Sequence, residues 1–399
     1  MKFKSMALLM LTMAMPAMAD QVTVNTQGVS LVLDVENGQP AKYLYFGARL
    51  DERDKANLSV TANGRMDVYP AYGLNTPAES ALALRHADGN MSTALVATGY
   101  DSRQEANATV TVIHLKDAVY PVKVDLCYRA YKDVDLIEAW SEITNEEKGT
   151  VTLTTFASAM LPIRRGNVWM SHLSGTWASE GYVNNELLTP GEFVIRNADG
   201  TRNSHTDHAE VMFSLDGKGQ ENVGRVIGAA LVYGGNYKLK AVTDDTDYHY
   251  FFAGINEENS EYHLRKGETF KTPALALTFS NEGLSGASRN FHKWGRKYVL
   301  AHGSQLRDIL LNSWEGVYFD INQQGMDQMM ADIASMGGEL FVMDDGWFGT
   351  KYQRNSDNCA LGDWEVDRKK LPDGIEGLLR DAKKNGVKFG IWIEPEMTN

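Results

Sequence analysis

Acidic and indole side chains cluster in three short segments near the end of the chain. The segments are Trp314-Glu315, Asp344-Asp345-Gly346-Trp347 and Trp392-Ile393-Glu394-Pro395-Glu396. A carboxylate accepts charge-assisted hydrogen bonds from hydroxyl groups, and an indole ring offers a flat apolar surface to the C–H face of a sugar. The combination indicates binding of a neutral sugar.

These carboxylates have two other interpretations. An acidic pair after a strand often caps the following helix, but two adjacent ionised carboxylates repel each other, so keeping both favours a ligand role. Asp357 and Asp363 could join the pair as oxygen ligands of a cation, yet the spacing is not that of a calcium loop. Gly337-Gly338 precedes a strand rather than opening a helix, and no phosphate-loop motif occurs. We therefore predict no metal and no cofactor.

Alternating strand and helix patterns position the three segments. The predicted elements are a strand over Ile309 to Tyr318, a helix over Gln324 to Met336, a strand over Glu339 to Met343, a helix over Pro372 to Asn385 and a strand over Val387 to Ile393. This order is typical of a parallel sheet built from βαβ units. Since ligands bind at the carboxyl ends of such strands, the clusters should meet at one rim.

The preceding part of the chain has a different pattern. From Gln21 to about Phe279, short alternating or β-branched runs are separated by turn residues such as Asp88-Gly89-Asn90. This pattern predicts a large antiparallel sandwich over residues 20–300. Apolar residues at three-and-four spacing over Leu284 to Leu300 predict a helix that connects the sandwich to the βα units.

Composition limits the class of protein. The 399 residues are 43% hydrophobic and 23% charged, and the formal net charge is −13, which disfavours nucleic acid as a partner. Residues 1–19 join a basic start to a short apolar run and Ala17-Met18-Ala19, as in a cleaved signal peptide, so we expect export to a periplasm or beyond. No later segment is apolar enough for a membrane span. Cys127 and Cys359 are expected to be unpaired.

Several motifs identify a family resemblance. They are Tyr43-Leu44-Tyr45-Phe46-Gly47, Tyr69-Pro70-Ala71-Tyr72-Gly73, Leu231-Val232-Tyr233-Gly234-Gly235-Asn236, Asp344-Asp345-Gly346-Trp347-Phe348-Gly349, Leu361-Gly362-Asp363-Trp364, Lys370-Leu371-Pro372-Asp373-Gly374 and Phe389-Gly390-Ile391-Trp392 before Glu394-Pro395-Glu396-Met397. In this order they closely resemble the α-galactosidases of glycoside hydrolase family 36. The stretch Lys351 to Cys359 is longer and less acidic than the usual Arg-Asp-Asp-Asp loop.

The resemblance implies a fold and a reaction. The fold is an N-terminal antiparallel β-supersandwich followed by the first part of a (β/α)8 TIM barrel, here residues 301–399, truncated after the third strand. The reaction is the hydrolysis of terminal, mainly α-1,6-linked galactose, from oligosaccharides such as melibiose and raffinose, with retained configuration. Family members are often homo-oligomers, with tetramers possible. The family nucleophile, in a Lys-Trp-Asp motif, and the acid/base Asp would follow Asn399, so the 399 residues alone are expected to be inactive.

The resemblance also assigns substrate-binding residues. Asp344 and Asp345 match the acidic pair that binds galactose hydroxyls, and Trp314 and Trp392 match aromatic positions that line the galactose pocket. A further family motif contains Asp363 and Trp364, whose role is either binding or structural. Two alternatives stay open at this point, namely an α-N-acetylgalactosaminidase and a catalytically inactive glycan-binding protein.

Overall fold

The computed structural model describes residues 20–59, 66–73, 79–163, 165–200, 206–395 and 397–399. The predicted signal peptide, residues 1–19, lies outside the described residues. The chain divides into two compact units between Gly303 and Ser304. Among the helices that the described residues form, none has both the length and the apolar character needed to cross a bilayer.

The N-terminal unit is built almost entirely of strands. The strands are β1 (Asp20–Asn25), β2 (Val29–Val35), β3 (Lys42–Ala48), β4 (Leu82–Arg85), β5 (Leu95–Gln104), β6 (Ala108–Asp117), β7 (Val122–Tyr131), β8 (Ile137–Asn145), β9 (Val151–Ile163), β10 (Trp169–Thr176), β11 (Ser179–Leu187), β12 (Gly191–Arg196), β13 (Asp207–Ser214), β14 (Val226–Leu231), β15 (Tyr237–Thr243), β16 (His249–Ile255), β17 (Tyr262–Leu264), β18 (Thr269–Lys271) and β19 (Leu275–Ser280). The described residues of this unit also form two helices, α1 (Glu52–Ala56) and α2 (Gly283–Trp294), and α2 continues as a π-helical turn over Gly295–Val299.

These strands form three sheets within the described residues. A ten-stranded sheet runs β11-β10-β13-β14-β19-β8-β7-β6-β5 with β18 beside β8, a six-stranded sheet runs β12-β15-β16-β9-β17 with β4 beside β9, and β1-β2-β3 form the third. Buried and partly buried residues alternate strictly along β15, as expected for a strand with one face in the core. Buried side chains from all three sheets, among them Leu31, Phe213 and Phe251, share one hydrophobic core. The antiparallel sandwich predicted from the sequence is therefore confirmed.

The C-terminal unit alternates strands and helices. Its elements are β20 (Leu310–Asn312), α3 (Trp314–Val317), α4 (Gln323–Ser335), β21 (Leu340–Met343), α5 (Gly374–Asn385) and β22 (Lys388–Ile391). The three strands pair in parallel in the order β20-β21-β22. Met326 and Met330 of α4 pack with Phe341 of β21 in a second hydrophobic core. This arrangement confirms the predicted start of a β/α barrel.

The first strand of this sheet is shorter than predicted. The sequence pattern places a strand over Ile309 to Tyr318, but β20 ends at Asn312 and Trp314 begins a short helix. The cause is local, because the Asn312 side-chain oxygen accepts the backbone N–H of Trp314 at 2.7 Å and turns the chain. Trp314 therefore lies two residues beyond the strand end rather than on the strand.

Candidate functional site

The carboxyl ends of β20, β21 and β22 lie side by side at one edge of the parallel sheet. The residues that follow the strands are Ser313 and Trp314, then Asp344 and Asp345, then Trp392. Parallel pairing brings these residues to a common edge. The structure thus places the four main predicted site residues at one rim, which we call the strand-end rim.

Asp344 is buried and makes hydrogen bonds with three neighbouring residues. Its Oδ2 accepts a hydrogen bond from the Asn312 amide at 2.6 Å, and its Oδ1 accepts the backbone N–H of Asp345 at 2.8 Å. Its own N–H donates to the Ser313 hydroxyl at 2.9 Å. The two groups that donate to the carboxylate are uncharged, so the carboxylate is oriented without a cationic partner among them. Sequence reasoning missed Asn312 and Ser313, although both directly precede the predicted Trp314.

Asp345 is paired with a buried arginine. Arg354 donates from Nε to both carboxylate oxygens, at 3.0 and 3.2 Å, and from Nη2 to Oδ2 at 2.8 Å. Its Nη1 donates to the carbonyl of Cys359 at 2.9 Å. Burial lowers the pKa of Arg354, but the hydrogen bonds and charge of Asp345 outweigh this and hold that pKa above its ordinary value. The guanidinium is therefore charged, and Arg354 is a further residue that sequence reasoning missed.

Lys370 lies beneath the loops of the strand-end rim. Its Nζ donates three hydrogen bonds to backbone carbonyls, at 2.9 Å to Phe319, 2.7 Å to Gly346 and 2.9 Å to Arg354. Burial lowers the pKa of this ammonium, while the charge of Asp367 raises it in part. The three carbonyls come from separate segments, so one side chain connects them.

The indole rings divide into two groups. Trp314 lies edge-on to Tyr318 and Phe319, with ring centroids 5.2 and 5.0 Å apart. Trp364 and Trp392 lie 6.3 Å apart in a second cluster. The rings of this cluster are those of Trp347, Phe348, Trp364 and Trp392. Both groups leave a half-buried indole at the surface of the unit, which is suitable for contact with a sugar face.

The second cluster fixes the end of β22. The indole N–H of Trp347 donates to the carbonyl of Trp392 at 3.0 Å, and the N–H of Trp392 donates to Met343 at 2.9 Å. Trp347 itself is buried and packs in the core. Trp392 is thus held from both sides by neighbouring segments.

The remaining predicted residues lie at the periphery. Asp363 is exposed in a turn, and its backbone N–H donates to the carbonyl of Ala360 at 2.9 Å. Glu394 is half-buried after β22, and Glu396 lies outside the described residues. Across the described ranges, no three His, Cys, Asp or Glu side chains are grouped closely enough to hold a metal ion.

Comparison with known proteins assigns both parts of the chain. Residues 39–265 match the glycosyl hydrolase family 36 N-terminal domain, and residues 269–399 match the melibiase family. Alpha-galactosidase C of Emericella nidulans is 32% identical over 74% of this chain and 40% of its own length. Alpha-galactosidase 1 of Pediococcus pentosaceus is 29% identical over 94% of this chain and 55% of its own length.

Solved structures agree with these matches. The family 36 α-galactosidase AgaA from Geobacillus stearothermophilus superposes with a TM-score of 0.86 at 27% identity, over 95% of this chain and 57% of that enzyme. Variants of AgaA have been solved in complex with stachyose and with raffinose. The chain spans about half the length of the relatives it matches. From the family models and the fold together, the chain belongs to glycosyl hydrolase family 36.

Proposed function

We propose that the chain is part of an exported α-galactosidase that releases terminal, mainly α-1,6-linked galactose from oligosaccharides such as raffinose and melibiose. The relatives named α-galactosidases and the stachyose and raffinose complexes of AgaA support this proposal. The leader-like composition of residues 1–19 supports export. Because the relatives are about twice as long, hydrolysis is proposed for the full-length protein, and galactose binding for the strand-end rim.

The observation that carries the proposal is the environment of Asp344. This carboxylate is oriented by the Asn312 amide and the Asp345 N–H, and neither of these donors is a cation. An oriented carboxylate at the strand ends is suited to accepting hydrogen bonds from sugar hydroxyls. The half-buried ring of Trp392 follows the neighbouring strand and offers an apolar surface for the sugar's C–H face.

Asp344 and Asp345 are proposed to bind rather than to attack. A retaining glycosidase needs two carboxyl groups about 5 Å apart, one as nucleophile and one as acid/base. Asp345 is engaged by Arg354 and Asp344 by neutral donors, so neither is placed as a free nucleophile. By family resemblance the nucleophile and acid/base are Asp residues of later barrel strands.

The test uses the protein of the full reading frame. It should release nitrophenol from nitrophenyl α-galactoside and not from the β-galactoside, and purified residues 20–399 should release none above background. Asp344→Asn should weaken galactose binding by about 1.5–3 kcal/mol, the range for one hydrogen bond to a charged group. Glu376→Gln, on the exposed side of α5, is the matched control and should change nothing. Absence of α-galactoside hydrolysis, or hydrolysis by residues 20–399, would refute the corresponding part of the proposal.

A further inference from the structure

Lys370 makes an unusual set of contacts for a lysine. An ammonium group has three donors, and here all three are used by the neutral carbonyls of Phe319, Gly346 and Arg354. By contrast, Lys388 at the opposite end of the same sheet pairs with the Asp308 carboxylate at 2.7 and 2.8 Å. Withdrawing an ammonium from water is costly unless every donor is satisfied. The convergent carbonyls provide that satisfaction and fix the loops that carry them.

Two of the three carbonyls lie at the ends of the loop segment that joins Asp345 to Arg354. Gly346 directly follows Asp345, and Arg354 sends its guanidinium back to the Asp345 carboxylate. Lys370 therefore holds the backbone next to Asp345 and the backbone of Arg354, the two partners of this ion pair. The carbonyl of Phe319, in the loop between α3 and α4, accepts the third hydrogen bond from the same Lys370 ammonium.

The backbone at Gly346 shows how closely these loops approach. Gly346 has a φ of +104°, and a Cβ there would lie 2.9 Å from the Cα of Phe319. Only glycine accommodates this conformation and this approach together. Two carbonyls from the touching segments then point to the same ammonium, so the spacing of the loops depends on Lys370.

We propose that Lys370 is a positioning residue for sugar recognition, which fixes the direction of the Asp344–Asp345 pair and so the preference for galactose over its C4 epimer glucose. The inference rests on the proposed function. Hydrogen bonds to a sugar hydroxyl are sensitive to direction, and the two sugars differ only in the direction of one hydroxyl. A loop that shifts when Lys370 is removed would therefore lose selectivity as well as affinity.

The experiment measures galactose and glucose dissociation constants by calorimetry for the full-length protein and for Lys370→Met. The measurements are made well below the melting temperature of each variant. Galactose affinity should fall roughly tenfold or more, as for loss of one oriented charge-assisted contact, and the ratio of the glucose to the galactose constant should fall with it. Lys388→Met is the matched control and should keep both values, since it removes a lysine contact at the other end of the strands.

A second variant and a second measurement make the test decisive. Lys370→Arg keeps the charge, but a planar guanidinium cannot direct three donors from a single nitrogen, so galactose affinity and selectivity should remain impaired in this variant. Lys370→Arg also serves as the test variant if Lys370→Met does not fold. Amide hydrogen exchange over residues 344–359 should accelerate in the Lys370 variants only. Unchanged affinity, selectivity or exchange in these variants would overturn the inference and leave the proposed function intact. Absence of galactose binding by the unmodified protein would instead overturn the proposed function.

Discussion

Removal of the Arg354 guanidinium should destabilise the C-terminal unit strongly. The Arg354 and Asp345 side chains are only 3% and 6% exposed, and three hydrogen-bond contacts join them. Arg354→Met leaves the Asp345 carboxylate buried without its cation. Breaking a buried pair from one side costs about 3–5 kcal/mol, because the remaining charge is uncompensated. Asp345→Asn should cost a similar amount, because it leaves the buried Arg354 guanidinium without its carboxylate partner. A loss of galactose binding in that variant alone would therefore not identify a sugar contact.

A double variant measures the interaction energy between Asp345 and Arg354 separately from the cost of losing each side chain. Asp345→Asn with Arg354→Met removes both charges, and its cost should fall short of the sum of the single costs by at least about 2 kcal/mol. The control is Arg380→Met, which removes an ion pair to Asp373 at 3.3 Å in the same unit. Those side chains are 65% and 61% exposed, so the control should cost at most about 1 kcal/mol.

Amide hydrogen exchange is the appropriate assay. It reports the free energy of local opening segment by segment, so a change in the C-terminal unit is not masked by the larger N-terminal unit. The effect is expected in peptides spanning β21 and the following loop. If Arg354→Met costs no more than Arg380→Met, or if the single costs simply add, the ion pair does not stabilise this loop and the reasoning is wrong.

Two further predictions concern pH. Burial lowers the pKa of His114, but hydrogen bonds at 2.7 Å to Asp125 and 2.9 Å to Asp101 raise this pKa above its ordinary value. The contribution of His114 to stability is therefore present below about pH 6.5 and is lost as pH rises through the folded pKa. His114→Gln should accordingly lower the melting temperature at pH 5 and not at pH 9. Burial and a hydrogen bond with Asp381 raise the pKa of Asp327 at the α4–α5 contact, so ionisation destabilises the unit as pH rises, and Asp327→Asn should raise the melting temperature at pH 7 but not at pH 4. Equal effects at both pH values would contradict either prediction.

Local patterns predicted the three strands and the two longer helices of the C-terminal unit, but not the short helix α3. The predicted helix over Gln324 to Met336 and the observed α4 differ by one residue at each end, because the Asn322 side chain caps Gly325 at 2.8 Å and Gly337 follows the last turn. β20 was overestimated because a single Asn312 hydrogen bond ends it, which an apolar pattern does not reveal. The sheet order of the N-terminal unit also lies beyond local pattern, since β19 inserts between β14 and β8 from far along the chain.

Within the site, the sequence revealed the acidic and aromatic residues but not their supports. Arg354 and Lys370 occur in stretches that read as ordinary loop and helix-start segments. Their roles come from contacts with Asp345, Gly346 and Phe319, which only the fold brings together. Side-chain charge alone would have suggested exposed positions for both cations.

The charge of the strand-end rim follows from these supports. Two adjacent carboxylates at a strand end would repel each other and attract a cation. Arg354 pairs with Asp345, whereas the Asp344 carboxylate receives hydrogen bonds from the uncharged Asn312 amide and Asp345 N–H, so one of the two carboxylates has a cationic partner. One oriented carboxylate beside a half-buried indole attracts hydroxyl donors without the charge density that a divalent cation requires. The buried arginine thus makes the acidic pair suited to an uncharged polyol, which is the ligand chemistry proposed for this rim.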